Sequence, residues 1–171
     1  MRPTRDEWAL ELARLTAQRA TCLRRRVGCV LLNERGHVLA TGYNGVAAGQ
    51  PHCNEVTGFN FVYGNGIDET RPLTGQSTGQ VDVYGHACGG ARAPSGQGLD
   101  TCQAIHAEQN ALLQCRDVYQ IDTCYTTASP CITCVKLLLN TSCRRIVFSE
   151  QYPHGESEKL WISSGREWVK L

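Results

Sequence analysis

Four residues in two short stretches could together perform metal-assisted chemistry. The stretch QAIHAEQNALLQC (103–115) contains His106 and Glu108, and the stretch TTASPCITCVKLLL (126–139) contains Cys131 and Cys134. Zinc binds thiolate sulfur and imidazole nitrogen in tetrahedral geometry, and a catalytic site keeps one position open for water. One histidine and a Cys-x-x-Cys pair supply three ligands. We therefore predict that His106, Cys131 and Cys134 hold a catalytic zinc ion.

Glu108 lies two positions after the histidine, close enough to reach water at such a site without binding the metal. Zinc lowers the pKa of bound water to about 7, so a neighbouring carboxylate can take a proton and deliver it elsewhere. This arrangement suits the hydrolysis of an amidine, in which water attacks a ring carbon and ammonia leaves. His-x-Glu followed by Pro-Cys-x-x-Cys is the signature of zinc-dependent nucleobase deaminases. Two alternatives are a buried structural zinc with Glu108 on the surface, and a non-catalytic, zinc-stabilised nucleotide-binding module.

The elements that must position these residues form an alternating α/β pattern. Both stretches open helices, whose N-termini favour the thiolate form of cysteine, and Pro130 suits the first turn of the second helix. Thr4 and Glu7 form a possible capping box before a helix that carries Trp8, Leu12 and Leu15 at helical spacing. The remaining pattern predicts a hairpin of strands 27–32 and 37–43 and two further strands at 121–127 and 144–150. The tail is predicted to form a final helix and a short strand. This order predicts a mixed sheet with helices on both faces.

Length and composition predict one domain. The chain has 171 residues, of which 42% are hydrophobic and 19% are charged, as in ordinary globular proteins. The segment 54–98 breaks the pattern, because it contains ten of the 17 glycines and no periodic apolar run. A loop of this length in a compact domain is usually functional or held by other contacts. We therefore expect a single domain, residues 1–171, with a long glycine-rich insertion.

Net charge and hydropathy indicate which classes of partner the protein can bind. The formal net charge is +1, whereas proteins that bind a nucleic-acid backbone usually present a basic face. The one dense basic cluster, Arg24–Arg26, could hold the phosphate of a small molecule. No signal peptide and no membrane-spanning segment is apparent in the sequence. We expect a small-molecule substrate, no nucleic-acid polymer, no membrane and a cytoplasmic location.

The chain resembles the deoxycytidylate deaminases of the zinc-dependent cytidine deaminase superfamily. The resemblance covers residues 5–53 and 100–153 and rests on the segments CLRRRVGCVLL, ATGYNG, PHCNE, CQAIHAEQNALL, YTTASPCITC and RRIVFSEQY. It implies a cytidine deaminase-like three-layer α/β/α sandwich with a mixed, roughly five-stranded sheet. It also implies the reaction of dCMP with water to give dUMP and ammonia, which supplies dUMP for thymidylate synthesis.

The resemblance also assigns substrate contacts. It implies that Arg26 meets the 5′-phosphate, since a guanidinium fork matches phosphate oxygens. Asn44 would hydrogen-bond the sugar, Tyr152 would line the nucleotide pocket, and Ala107 would contact the substrate beside Glu108. Asn44 could instead serve the turn, Arg26 could be surface charge and Tyr152 could be part of the core. Pro153 stands where some relatives have a basic residue, so dCTP is an alternative or additional substrate.

The sequence contains ten cysteines, which without a signal peptide favours metal binding or catalysis over disulfides. Cys22, Cys53, Cys88 and Cys102 flank loops, and four thiolates would form a closed, structural zinc site. The resemblance supports a second zinc at Cys22, Cys53 and Cys102, with Cys88, His86 or, less favoured, His52 as the fourth ligand. The other four are expected to be small buried apolar residues: Cys29, Cys115, Cys124 and Cys143.

Regulation and assembly are implied by the resemblance alone. Deoxycytidylate deaminases are commonly homohexamers, activated by dCTP and inhibited by dTTP. By that resemblance, the segment GYNGVAAG (42–49) is the candidate for effector contact. A bound nucleoside triphosphate effector could bring Mg²⁺ with it.

Overall fold

The computed structural model describes residues 1–53, 102–152 and 155–171. Contacts divide the chain into two units. The first comprises Met1–Ala20, Arg26–Asn44 and Ile105–Leu171, and the second comprises Thr21–Arg25 and Gly45–Ala104. The predicted insertion at 54–98 lies outside the described residues, and the single-domain organisation stays a prediction.

A five-stranded mixed sheet forms the centre of the first unit. Its strands are β1 (Gly28–Leu32), β2 (Val38–Tyr43), β3 (Thr123–Ala128), β4 (Arg145–Glu150) and β5 (Glu167–Lys170), in the spatial order β2-β1-β3-β4-β5. Strand β1 pairs antiparallel with β2 and with β3, whereas β3, β4 and β5 run parallel to one another. The mixed sheet predicted from the sequence is therefore confirmed.

Helices cover both faces of this sheet. They are α1 (Arg5–Ala17), α2 (Ala107–Gln114), α3 (Ile132–Leu139) and α4 (Glu156–Ser163), with a short 3₁₀ turn at Val118–Gln120. Alternate residues of β1 point to opposite cores, as side chains in a strand must. Val30 and Leu32 pack with α1, whereas Cys29 and Leu31 pack with α2, α3 and α4. The predicted three-layer α/β/α sandwich is confirmed.

Helix α1 buries mainly small residues and leaves two of its large apolar residues exposed. Trp8 and Leu15 are 42% and 59% exposed, whereas Leu12 is half-buried and packs against the core on this side of the sheet. The reason is the close approach of α1 to Gly28, where a Cβ atom would lie 2.0 Å from the Ala13 carbonyl oxygen. Only small side chains fit such a contact. The buried residues of α1 are Ala9, Leu10, Ala13 and Ala17.

Two local predictions around α1 and the first hairpin are confirmed. The Thr4 hydroxyl accepts a hydrogen bond from the Glu7 amide, and the Glu7 carboxylate accepts one from the Thr4 amide, so the capping box is complete. In the hairpin, Gly36 has a φ of +84°, a conformation that favours glycine. The Asn33 side chain accepts a hydrogen bond from the amide of His37.

The four cysteines expected to act as apolar core residues divide into two groups. Cys29, Cys124 and Cys143 are completely buried in the core beneath α2, α3 and α4. Cys115 is instead only half-buried, because it follows the last residue of α2, and its thiol donates to the carbonyl of Asp117. In the described ranges, no helix is long and apolar enough to span a bilayer.

Candidate active site

The three predicted metal ligands lie at the beginnings of two helices. His106 is the N-cap residue of α2, Cys131 is the N-cap residue of α3, and Cys134 is the third residue of α3. Pro130 precedes the N-cap, so the prediction that Pro130 lies in the first turn of α3 is wrong. The reason is that Cys131 keeps an extended backbone, with φ −71° and ψ 169°, so that the helix begins one residue later.

The distances between the ligand atoms match those of a tetrahedral zinc site. The Nδ1 atom of His106 lies 3.4 Å from the sulfur of Cys131 and 3.5 Å from that of Cys134, and the two sulfurs are 3.7 Å apart. Usual zinc bond lengths with tetrahedral angles place nitrogen and sulfur about 3.5 Å apart and two sulfurs about 3.8 Å apart. Across the described residues, this is the one group of three potential ligands with all donor atoms within 4.8 Å of one another. The residues present therefore fit zinc.

The charges of the two thiols depend on each other. The hydrogen bonds that Cys131 shares with Cys134 and with the His106 ring lower the pKa of Cys131 to about 4. The same thiolate, together with burial, raises the pKa of Cys134. One cysteine is therefore ready to bind a metal as a thiolate, and the second loses its proton when the metal binds.

Glu108 is a buried carboxyl group beside the metal ligands. It is the second residue of α2 and is only 4% exposed. Loss of solvent on burial raises its pKa, and its side chain shares a hydrogen bond with the Cys134 thiol. A carboxyl group with a raised pKa is a stronger base than an exposed one and is suited to accept and return a proton. Glu108 therefore lies beside the three ligands, and its role as proton shuttle stays a prediction.

Close contact with β2 holds the first turn of α2 in place. At Gly42, an added Cβ atom would lie 2.2 Å from the Ala107 carbonyl oxygen and 2.4 Å from the Ala111 nitrogen. The helix backbone thus rests directly on the strand backbone. Ala107, predicted to contact substrate, is completely buried at this position. The side chain of Gln109 accepts a hydrogen bond from the His106 amide and fixes the start of the helix.

Two of the predicted substrate contacts lie where β1 begins and β2 ends. The Asn44 side chain is buried, and its oxygen accepts a hydrogen bond from the Val27 amide at 2.7 Å. The Asn44 amide in turn donates to the Val27 carbonyl. Arg26 is exposed and precedes Val27 directly. The structure therefore gives Asn44 the role of fixing the turn beside Arg26, and the sugar contact stays a prediction.

Tyr152 is half-buried and is tied to the segment that carries Cys131. The Tyr152 amide donates to the Ser129 hydroxyl at 2.7 Å, and the Ser129 amide donates to the Glu150 carbonyl at 2.8 Å. Ser129 was not predicted from the sequence as a functional residue, although its place directly before Pro130 was a usable signal. The pocket role of Tyr152 stays a prediction, and Pro153 lies outside the described residues.

The cysteines of the predicted second zinc site belong to the second unit. Cys22 and Cys102 share a hydrogen bond that, with burial, raises the pKa of Cys22, and the amides of Arg24 and Arg25 donate to the Cys22 sulfur. Cys53 is buried and packs in a small cluster with Cys102. These three do not form a second compact trio of the kind found at His106. His52 contacts the Thr21 hydroxyl, while Cys88 and His86 lie outside the described residues.

Comparison with known proteins gives a family and several relatives. Residues 3–150 match the model described as the cytidine and deoxycytidylate deaminase zinc-binding region. A deoxycytidylate deaminase of Mycobacterium phage D29 is 34% identical over 151 residues, covering 88% of this chain and 98% of the relative. Those of Saccharomyces cerevisiae and Schizosaccharomyces pombe are 32% and 33% identical over 89% and 88% of this chain. The chain spans only 39% and 38% of the length of these two yeast relatives.

A solved structure shares the fold. The dCMP deaminase of cyanophage S-TIM5, solved in complex with dCMP and dUMP, aligns with a TM-score of 0.67 over 100% of this chain and 99% of that one, at 21% identity. The match to the family model covers both zinc motifs and most of the chain. The chain therefore belongs to the cytidine and deoxycytidylate deaminase family.

Proposed function

We propose that this protein is a zinc-dependent deaminase that converts dCMP and water to dUMP and ammonia. The observation that carries the proposal is the triangle of His106, Cys131 and Cys134, with its zinc-like spacing, beside the buried Glu108. Three ligands leave one tetrahedral position for water, and a structural zinc would use all four. The names of the relatives point to the same substrate.

The residues divide the chemistry between them. Zinc held by the three ligands would activate water for attack at neutral pH. Glu108 takes one proton from the attacking water and delivers it to ring nitrogen N3, and then passes the proton of the new C4 hydroxyl to the exocyclic amine. The water oxygen adds to C4, the bond from C4 to the amine breaks, and ammonia leaves. Burial of Glu108 excludes bulk water, so the proton is held at the carboxyl until the amine accepts it.

The choice between dCMP and dCTP depends on how the phosphate is held. Arg26 is exposed at the edge of the turn that Asn44 and Val27 fix, where its guanidinium could form a forked contact with a 5′-phosphate. Pro153 stands where some relatives have a basic residue and offers no second charge, so dCTP is the alternative substrate. We favour dCMP because the relatives are named deoxycytidylate deaminases.

The test is ammonia release from separate reactions with dCMP, dCTP, cytidine and adenosine, using zinc-loaded protein. We expect the highest kcat/KM with dCMP. Turnover of dCTP at a similar or higher kcat/KM would change the assigned substrate but leave the chemistry intact. The absence of ammonia from both deoxycytidine nucleotides would refute the proposed function. The Glu108→Gln variant serves as the control for contaminating deaminases.

We further propose that a second, structural zinc binds Cys22, Cys53 and Cys102, with Cys88 or His86 as the fourth ligand. The hydrogen-bonded pair of Cys22 and Cys102 and the buried Cys53 support this assignment. Two backbone amides that donate to the Cys22 sulfur would stabilise its thiolate form. A Cys53→Ser variant should lose one zinc per chain and keep the other, as measured by metal analysis.

Assembly as a homo-oligomer, by resemblance a homohexamer, is a further proposal. Helices α2 and α3 expose Leu113, Ile132 and Leu137 to 78%, 36% and 42%. The two helices together carry only two charged residues, the buried Glu108 and Lys136. Exposed apolar surface with so little charge is typical of subunit contacts. Sedimentation analysis of the wild type against Leu113→Glu tests this assignment.

Regulation by dCTP and dTTP, with Mg²⁺ accompanying a triphosphate, also remains a proposal. The segment 42–49 is its candidate contact, and the cytoplasmic location is proposed with it. Rates measured with dCMP in the presence and absence of each triphosphate decide the point. Activation by dCTP and inhibition by dTTP are the expected results.

A further inference from the structure

We propose that Asn110 is a positioning residue, whose hydrogen bond to the end of β2 sets the spacing between Glu108 and the turn at Asn44. The inference rests on the proposed function, since it concerns how a nucleotide reaches both places at once. The Asn110 amide donates to the His106 carbonyl oxygen at 3.0 Å within α2, and its side chain binds the backbone of Tyr43. The effect of Asn110 is therefore transmitted through the backbone.

The bond joins the helix that bears the acid to the last residue of a strand. The Nδ2 atom of Asn110 donates to the Tyr43 carbonyl oxygen at 2.8 Å, in a half-buried position. Tyr43 is the final residue of β2 and pairs with Gly28 of β1. The neighbouring Gly42 is the position at which the backbone of α2 rests on β2. The Asn110 hydrogen bond therefore holds α2 against β2 next to Gly42, where the two backbones are in direct contact.

The Asn110 hydrogen bond connects Glu108 to the turn at Asn44 through short backbone segments. On one side, Glu108 lies two residues before Asn110 on the same eight-residue helix, so the two move together. On the other side, Tyr43 is followed by Asn44, whose amide and side chain both bind Val27. Arg26 precedes Val27 directly. No loop intervenes between the acid and the turn that is proposed to meet the sugar and the phosphate.

This arrangement predicts an effect that depends on the length of the ligand. A nucleotide must meet Glu108 with its base and Arg26 with its phosphate, so its binding requires the correct spacing. A nucleoside lacks the phosphate, so it can bind at Glu108 through its base even if the distance from Glu108 to Arg26 changes. Loss of the Asn110 bond should therefore weaken a nucleotide more than the matching nucleoside. A residue that only stabilised the fold would affect both ligands equally.

The experiment compares dUMP with 2′-deoxyuridine by calorimetric titration of the zinc-loaded full chain. Asn110→Leu removes the donor at similar size, and Asn110→Asp places a carboxylate against the Tyr43 carbonyl. Asn110→His keeps an N–H at the same number of bonds from the backbone, and Gln114→Leu is the exposed control on the same helix. We expect the first two variants to weaken dUMP about tenfold more than 2′-deoxyuridine. The KM for dCMP should rise with little change in kcat, and Asn110→His should recover most of the difference.

Each outcome decides the matter. Equal weakening of both ligands, or unchanged binding of dUMP by Asn110→Leu with full zinc content, would overturn the positioning role. A wild-type protein that binds dUMP but releases no ammonia from deoxycytidine nucleotides refutes the proposed function only. The ratio of the two dissociation constants still tests Asn110 in that case. A wild type that binds neither ligand refutes both.

Discussion

The contact between α2 and β2 yields a prediction with a magnitude that follows from the structure. In the Gly42→Ala variant, the new Cβ atom would lie 2.2 Å from the Ala107 carbonyl oxygen, whereas ordinary contact begins at 3.4 Å. The atoms that it meets belong to backbone, so no side chain can rotate away. The start of α2 must therefore move from the strand by about 1 Å, because a close-packed interior offers no other room.

A displacement of this size is large for the chemistry. His106 begins α2 and lies 3.4 and 3.5 Å from the two sulfurs, and metal sites tolerate deviations of only about 0.2 Å in their bond lengths. A misplacement of about 1 Å in an active site can reduce the rate about 100-fold. We expect Gly42→Ala to lower kcat by about that factor and to lose zinc more readily, with a stability loss of about 1–3 kcal/mol.

The matched variant is Gly28→Ala, which introduces the same kind of clash on the other face of the sheet. Its Cβ atom would lie 2.0 Å from the Ala13 carbonyl oxygen in α1, a helix that carries none of the metal ligands. Gly155→Ala is the neutral control, since no atom of the described residues lies within 4 Å of its added Cβ atom. Single-turnover kinetics, metal analysis and thermal unfolding of all three variants, at a temperature where each is folded, separate activity from stability.

The two similar clashes should have different effects on catalysis. Both Gly28→Ala and Gly42→Ala should lose stability, and only Gly42→Ala should lose most of kcat and its zinc affinity. Wild-type kcat in Gly42→Ala, or an equal loss of kcat in Gly28→Ala, would refute the claim that the α2 and β2 contact positions the active site.

Three further predictions follow from the contacts. Glu108→Gln should keep its zinc and its fold and lose turnover about 10²- to 10⁴-fold, so near-normal ammonia release would contradict the shuttle role. Asp6 accepts a forked hydrogen bond from Arg145 that lowers its pKa below the usual 3.8. The stabilising contribution of Asp6 is therefore present above pH 3.8 and disappears as the pH falls further. In the Asp6→Asn variant, the free energy of unfolding should depend less on pH between pH 4 and 2. Metal analysis should find close to two zinc ions per chain, and a value of one would remove the second site.

The sequence was sufficient for the elements and for the metal-binding group. His-x-Glu and Pro-Cys-x-x-Cys carry fixed chemistry at fixed spacing, and the start of α1 follows from its capping box. For that reason His106, Cys131 and Cys134 could be grouped before their distances were known. The alternation of strands and helices was likewise enough for the three layers.

Other features depended on packing between distant segments, which local patterns do not encode. The core face of α1 depends on its close approach to Gly28, which favours small residues and leaves a large residue such as Trp8 exposed. Asn110 gave no signal, since its partner is a backbone carbonyl 67 positions away. Ser129 was overlooked for a similar reason, because its hydroxyl serves the amide of Tyr152.

The separation of the metal ligands along the chain makes the metal a cross-link. His106 and Cys131 are 25 positions apart, and the segment between them includes the central strand β3. Closing a loop of that length removes roughly 3–4 kcal/mol of entropy from the unfolded chain, by analogy with a disulfide. Removal of the metal by a chelator should therefore lower the stability of the α2 and α3 region and also stop turnover. For this molecule, melting temperature and catalytic competence should fall together as the ion is withdrawn.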